Sequence, residues 1–308
     1  MKRILWLTFG LVMFLSLFVA CENEETYMVQ VSATEGGIIE GPNGKYKECE
    51  WVEFKAIPAE GYFFAQWSDG KNDNPREFYI NKDLTIIAQF KKITTVDLGL
   101  ESGTLWTTCN IGAANPWNGG HFYAWGETET KKGWASIDNW DTYKYGSYSM
   151  TSSKTLTKYY DADGLTVLEQ NDDAATTIYG SDYSTPTRAN WEELCSQCYW
   201  VWNSKYNNQN VSGYMVFKAK FDEDKGVKVH KYETPSESYS FSDTHIFLPV
   251  GGKNGGYKVG EVGMYWSSSR CEDNPREAYC CFFYDYNLIP NHKSYRDDGH
   301  SIRAIRRK

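Results

Sequence analysis

The chain has little positive charge to spare and little histidine. Its 32 Lys and Arg face 40 Asp and Glu, for a formal net charge of −8. No basic stripe runs along it, and the terminal Arg303, Arg306, Arg307 and Lys308 are too few to make one. That balance excludes nucleic acid as the expected partner. The five histidines, His121, His230, His245, His292 and His300, are scattered without a His-x-x-x-His spacing, so the helical zinc pair is missing. There is no Gly-x-Ser-x-Gly nucleophile elbow and no phosphate-cradling glycine loop. Paired carboxylates of a glycosidase act through space and leave no spacing to find. These absences weigh against an enzyme, and no catalytic residue, cofactor or metal is assigned. After the first twenty residues no apolar run reaches membrane length.

The first twenty residues read as an address. Met1-Lys2-Arg3 is a short basic start, Ile4 to Ala20 is apolar except at Thr8, Gly10 and Ser16, and a small residue, Ala20, precedes Cys21. A basic start, an apolar middle and a small residue before the cut are the features of a secretory signal. An uncleaved anchor helix is the competing reading, for the run is of marginal length. Phe18-Val19-Ala20-Cys21 resembles the bacterial lipobox, whose cysteine is diacylated and becomes the mature N-terminus. The resemblance implies lipidation at Cys21 and a membrane partner through the lipid anchor. Several acyl chains hold a protein where one chain binds only marginally. The acidic linker at 21–26, with Glu22-Asn23-Glu24-Glu25, resembles the surface-export signal of Bacteroidetes lipoproteins; an ordinary solvated linker is the other reading. The expected location is the bacterial outer membrane, facing the exterior.

Removing residues 1–20 leaves about 288 residues and a charge of about −10, a length for roughly two domains. Aromatics are abundant, with 12 Trp and 23 Tyr. Such side chains serve wet binding surfaces and β-sheets equally well. Seven cysteines remain besides Cys21. Export permits disulfides, but an odd number leaves one thiol free or paired between molecules.

Residues 27–92 alternate as strands do, at Tyr27-Met28-Val29-Gln30-Val31, at Trp51 to Ala56, and again at Thr85 to Phe90. Gly36-Gly37, Gly41-Pro42-Asn43-Gly44, Pro58 and Gly61 punctuate them. The order Gly36-Gly37, Tyr46, Val52, Pro58, Gly61-Tyr62, Trp67-Ser68-Asp69-Gly70, Asn74-Pro75-Arg76 and Ala88-Gln89-Phe90 resembles a divergent internalin-type B-repeat. That likeness implies a small all-β module used as a spacer or adhesive stalk.

A second segment, 95–308, opens at Val96 to Ala113 and Tyr123-Ala124-Trp125-Gly126-Glu127-Thr128. Its landmarks continue with Asp172-Asp173-Ala174-Ala175, Pro186 to Leu194, Ile246-Phe247-Leu248-Pro249, Gly263 to Ser269 and Ile302 to Arg306. In this order they resemble the Fibrobacter succinogenes major paralogous domain. The likeness implies a loop-rich α+β, C-type-lectin-like head following the all-β module. Thr187 can cap a helix with Asn190 at its third position, placing Trp191, Leu194, Cys195 and Cys198 on one face. Residues 159–170 suggest a second helix, and Tyr279 to Tyr284 a buried strand. The stretches 128–155 and 203–240 read as long loops, where binding usually sits.

Cys195-x-x-Cys198 has the spacing of a redox or zinc pair, yet no second such pair completes it. Adjacent Cys280 and Cys281 on a strand would point to opposite faces, so buried thiols or disulfides are favoured. The cysteine context of the formylglycine-generating enzymes is not reproduced at Cys271 or Cys280-Cys281. Asp161-Ala162-Asp163-Gly164 resembles the start of a calcium loop but lacks its continuation. Asp73-Asn74-Pro75-Arg76-Glu77 recurs at 273–277 as a turn leading into a strand. Trp117, His121, Trp125, Glu127, Trp134, Trp140 and Tyr143 cluster in a Gly- and Asn-rich stretch, and aromatic faces beside polar groups suit sugar rings. Trp125 and Glu127 match the family pattern and are read as packing residues. The binding candidates are Trp117, Trp134 and Trp140, with Tyr143 and His121 beside them. The expected function is binding of a glycan or surface protein by the head. A structural envelope component and an enzyme with a head cleft are the alternatives.

Overall fold

A computed structural model describes residues 25–130, 143–148, 154–226, 238–251, 260–285 and 287–307. The N-terminal module contains β1 (Thr26–Ala33), β2 (Gly37–Glu40), β3 (Gly44–Lys47), β4 (Trp51–Pro58), β5 (Tyr62–Trp67), β6 (Arg76–Tyr79) and β7 (Leu84–Lys92). They form two sheets, ordered β3-β1-β7-β5 and β2-β4-β6. β1 runs parallel to β7 and antiparallel to β3. The alternating apolar residues meet between the sheets, where Val29, Val31, Phe54, Trp67, Phe78, Ile86 and Phe90 are buried together. Gly36 takes φ +101°, and a Cβ there would run into the Tyr62 ring, so the turn into β2 requires glycine.

The head contains β8 (Thr95–Asp97), β9 (Leu105–Thr107), β10 (Gly146–Tyr148), β11 (Lys154–Leu156), α1 (Ala174–Tyr179), β12 (Tyr183–Ser184) and α2 (Arg188–Gln197). It continues with β13 (Cys198–Asn203), β14 (Gly213–Lys218), β15 (His245–Pro249), β16 (Gly263–Arg270), β17 (Glu277–Tyr284), β18 (Asn287–Tyr295) and β19 (Ile305–Arg306). The sheet β16-β17-β18 is covered on both faces. Met264, Trp266, Ala278 and Cys280 point into one core, while Tyr265, Cys281 and Phe283 point into another. The sheet β13-β14-β15 does the same: Trp200, Tyr214, Val216, Ile246 and Leu248 join the second core, and Tyr199, Val201, Met215, Phe217 and Phe247 form a third. Strands buried on both faces read as continuous apolar runs, which explains Tyr279 to Tyr284 as the expected buried strand.

The expected α+β, C-type-lectin-like class is corrected. Strand outweighs helix, 43% against 12%, so the fold is mainly β. Among the described residues, only 188–197 sustains a helical period long enough for a regular α-helix of several turns; the other apolar runs there are short and rich in β-branched and aromatic residues. α2 begins as expected, for the Thr187 side chain accepts from the Asn190 amide and the Asn190 side chain accepts from the Thr187 amide. The helix expected over 159–170 is absent. Two single 3-10 turns, Asp161–Asp163 and Gln170–Asp172, stand there, separated by Gly164 in the left-handed region. Asp173 then caps α1, accepting from the Ala175 amide. The stretch 203–240, expected as loop, contains β14.

The two modules are not joined by a free linker. Phe63, Ala65 and Ile93 belong to the same buried cluster as Tyr123, Trp125 and Tyr179 of the head. The Phe63 and Tyr179 rings lie 5.7 Å apart. Thr108 N–H donates to the Thr94 carbonyl at 3.0 Å, and Lys91 Nζ to the Ala114 carbonyl at 2.6 Å. β5 thus serves two cores, Phe64 and Trp67 facing its own module and Phe63 and Ala65 the head, with a bulge between Phe64 and Gln66 shifting the register. Wild-type protein is expected to unfold in one calorimetric transition that includes both modules. Phe63→Ala should remove roughly 3–5 kcal/mol and split the trace into two transitions.

Asp172 ties three segments of the head. Its carboxylate accepts from Lys144 Nζ at 2.9 Å, Lys158 Nζ at 2.6 Å and the Tyr159 hydroxyl at 2.8 Å. Burial pushes this carboxyl up, but the hydrogen bonds from Lys158, Tyr145, Lys144 and Tyr159 outweigh it and hold it well below the usual range. A lowered folded-state value means stability that is present above the unfolded value of about 3.9 and lost as pH falls below it. Asp172→Asn is expected to cost roughly 2–3 kcal/mol near neutral pH. Urea midpoints of the variant should also fall less steeply than wild type below about pH 4.

Candidate functional site

At the junction of the modules the chain leaves a cleft of about 390 Å³. Phe63, Ile93 and Tyr179 supply its apolar lining, and Lys91, Lys92, Thr94, Thr108, Cys109 and Asn115 its polar edge. β7 runs into the cleft from the first module, and β9 with the following loop forms the opposite wall. Lys91 is anchored by the Ala114 carbonyl and by Asn115 Oδ1 at 3.3 Å. The Thr94 and Thr108 hydroxyls bond each other. Cys109 is a half-exposed free thiol, and it accepts from the Thr108 hydroxyl at 3.8 Å. Burial raises the Tyr179 hydroxyl far above its ordinary value, so it stays protonated.

The loop from 109 to 121 is held from beneath. Arg303 is fully buried; its Nε donates to Asn110 Oδ1 at 2.8 Å, and its other nitrogens donate to the Thr107 and Phe247 carbonyls at 2.9 and 2.7 Å. Asn110 Nδ2 donates in turn to the Gly119 carbonyl at 2.8 Å. Gly120 takes φ +74°, and a Cβ there would meet the Ile111 carbonyl oxygen. The wall of the cleft is therefore fixed by buried polar contacts and a glycine turn. The cleft presents an apolar face with hydroxyl, amide and ammonium groups at the edge.

The expected site residues divide. Trp117 is half-buried and follows directly on the cleft wall, packed against the core of Tyr199, Val201 and Phe217. His121 lies at the end of the same loop, with its ring 6.4 Å from that of Tyr123. Burial pushes its imidazole below the ordinary value, opposed by the charge of Asp73 in the first module. Tyr143 is not a surface platform. It is 2% exposed, donates to the Trp125 carbonyl at 2.7 Å and accepts from Arg296 Nε at 2.9 Å. Trp134, Trp140 and the lipidation candidate Cys21 lie outside the described residues. Trp125 and Glu127 are buried; the Trp125 indole donates to the Ser267 carbonyl, and Glu127 accepts from the Lys144 amide.

Phe63 and Tyr179 were not among the expected site residues. The signal for Phe63 is the unbroken run Tyr62-Phe63-Phe64-Ala65 before Gln66-Trp67, which exceeds what a strand with one buried face needs. Trp51 and Tyr79 were also missed. These cross-strand partners are 66% and 46% exposed, with ring centroids 5.2 Å apart.

The remaining candidates are structural. Cys195 and Cys198 are buried, and burial raises the Cys198 thiol far above its ordinary value. Asp161 pairs with Arg270 at 2.7 Å, and Asp163 accepts from the Leu165 amide at 2.9 Å. Asp173 accepts from Thr185 as well as from Ala175. Among the described residues, no group of three or more His, Cys, Asp or Glu gathers as a metal site. The two Asp-Asn-Pro-Arg-Glu stretches both lead into strands, β6 and β17. Asn74 bonds across to Ala56, however, while Asn274 caps the local Arg276 amide.

Residues 27–94 match the family described as "Divergent InlB B-repeat domain", so the first module is a B-repeat. The match runs through Ile93 and Thr94 at the cleft. No curated protein and no solved structure matches the chain.

Iodoacetamide on the native protein is expected to label Cys109 within minutes while leaving Cys198, Cys271 and Cys280 unlabelled, as read by peptide mass mapping. Burial pushes the Cys271 thiol up to about 12, so it lacks the thiolate needed to react.

Proposed function

We propose that the protein is a lipid-anchored component of the bacterial outer membrane, displayed to the exterior, that binds a glycan at the junction of its B-repeat and its head. The observation that carries the binding reading is the cleft between the modules. Clefts at domain interfaces, lined by aromatic groups with a few fixed polar groups, are common ligand sites. The cleft edge offers Lys92, Thr108 and Asn115 to the hydroxyls of a sugar, above a floor closed by the buried Phe63 and Tyr179. The lipobox-like Phe18-Val19-Ala20-Cys21 and the acidic residues after it support anchoring and display. The likeness of residues 95–308 to the Fibrobacter succinogenes major paralogous domain is carried by sequence landmarks. Several of these, Trp125, Trp191, Trp266 and Arg303, are buried, so they speak for a shared framework and the ligand choice falls to the cleft edge.

The test of binding is a glycan array probed with residues 22–308, followed by isotherms on any hit. Lys92→Ala and Asn115→Ala, both at the cleft edge, are expected to weaken binding about tenfold each, near 1.4 kcal/mol. No glycan bound, together with co-purification of a defined envelope protein, would replace this reading with a structural role. For anchoring, Cys21→Ser should abolish incorporation of labelled palmitate and release the protein from the membrane fraction. Retention in the membrane fraction without palmitate labelling of either protein would favour an uncleaved helix as the anchor.

A further inference from the structure

We propose that Cys195 and Cys281 are joined by a disulfide in the mature protein, stapling α2 to β17. Cys195 lies on the buried face of α2, with Trp191 and Leu194, and Cys281 on the face of β17 that points toward them. Both are free thiols in the same buried cluster, close enough for Cys195 to add to the rise that burial imposes on the Cys281 thiol. A disulfide would hold the pair at an S–S length of about 2.05 Å. Both thiols are otherwise enclosed by apolar neighbours, including Trp200, Tyr214 and Phe283.

The alternatives within reach are fewer than four nearby cysteines suggest. Cys280 follows the strand alternation into the opposite core, so it cannot compete. Cys198 shares the core and is the rival partner for Cys195. It stands at the C-terminal end of α2, where the helix dipole opposes a thiolate. Redox-active Cys-x-x-Cys pairs instead draw on lowered thiol values of the kind a helix N-terminus provides. A structural bond from helix to strand fits this placement; a catalytic Cys-x-x-Cys does not.

The chemistry balances with a disulfide as oxidant. The Cys195 and Cys281 thiols lose two electrons and two protons as their sulfurs join, and the incoming disulfide is reduced to two thiols. Exchange requires a thiolate. Burial raises Cys281 well above its ordinary value in the closed core, so the bond forms as α2 docks and is shielded afterwards. In the cell the oxidant comes from an oxidising compartment. That part rests on the export reading; the pairing itself does not.

The test is oxidative refolding of the full chain in oxidised glutathione, then peptide mapping without reduction. The expected product is a linked Cys195–Cys281 peptide, two hydrogens lighter than the separate pair. The fall in Tm on adding reductant should be roughly 5–10 °C larger for wild type than for the Cys195→Ala/Cys281→Ala double variant. A Cys195–Cys198 link, or free alkylation of both residues after oxidative refolding, overturns the proposal. Protein taken from cells with thiols blocked at lysis separates the two readings. A bond formed on refolding but missing from that sample counts against export and leaves the pairing standing.

Discussion

The buried guanidinium of Arg303 is the point on which the head and the cleft depend. A cation withdrawn from water costs several kcal/mol unless its donors are all used. Arg303 offsets much of that cost, with each of its three nitrogens donating to a different stretch of chain, at Asn110, Thr107 and Phe247. Burial lowers its ordinary value, and the Tyr265 hydroxyl opposes that shift. The strand β9, the loop that walls the cleft and the strand β15 are thereby fixed to a residue close to the C-terminus. Nothing local in any of the three would place them together.

A second buried cation explains where many of the aromatics go. The Arg296 guanidinium sits 4.5 Å from the Trp125 ring and between 5.5 and 5.9 Å from the rings of Tyr143, Tyr145 and Tyr159. Rings of this kind attract a cation electrostatically, most strongly when both are desolvated. Its nitrogens also donate to the Lys158, Tyr159 and Pro275 carbonyls. Aromatic abundance therefore reports a cage inside the head as much as a surface outside it. Tyr143 belongs to the cage, and for that reason it is not a ligand platform.

The shared core at Phe63 and Tyr179 changes the meaning of a stalk and a head. A flexible tether would leave the B-repeat free to swing. Instead β5 contributes to both cores, and Lys91 and Thr94 hydrogen-bond to the head. The cleft lies where the two modules share a core, and that packing holds its lining in place.

Much of the molecule was legible locally. Strand alternation and glycine turns gave the β-module, Thr187 and Asn190 gave the start of α2, and Tyr279 to Tyr284 gave β17, because each signal lies within a few residues of its effect. The opposed faces of Cys280 and Cys281 follow from strand geometry in the same way. The helix over 159–170 and the α+β class failed because apolar spacing says little about which distant partner will bury a segment, and Gly164 breaks the run with a left-handed turn. The sequence by itself determined the strands of the first module and β17, where α2 begins, and the family of the first module. Only the tertiary structure decided that β5 serves two cores, that Arg303 closes the loop beside the cleft, and that Cys195 meets Cys281. Those three facts join residues far apart in the chain, and their energy is realised only when the intervening chain has folded.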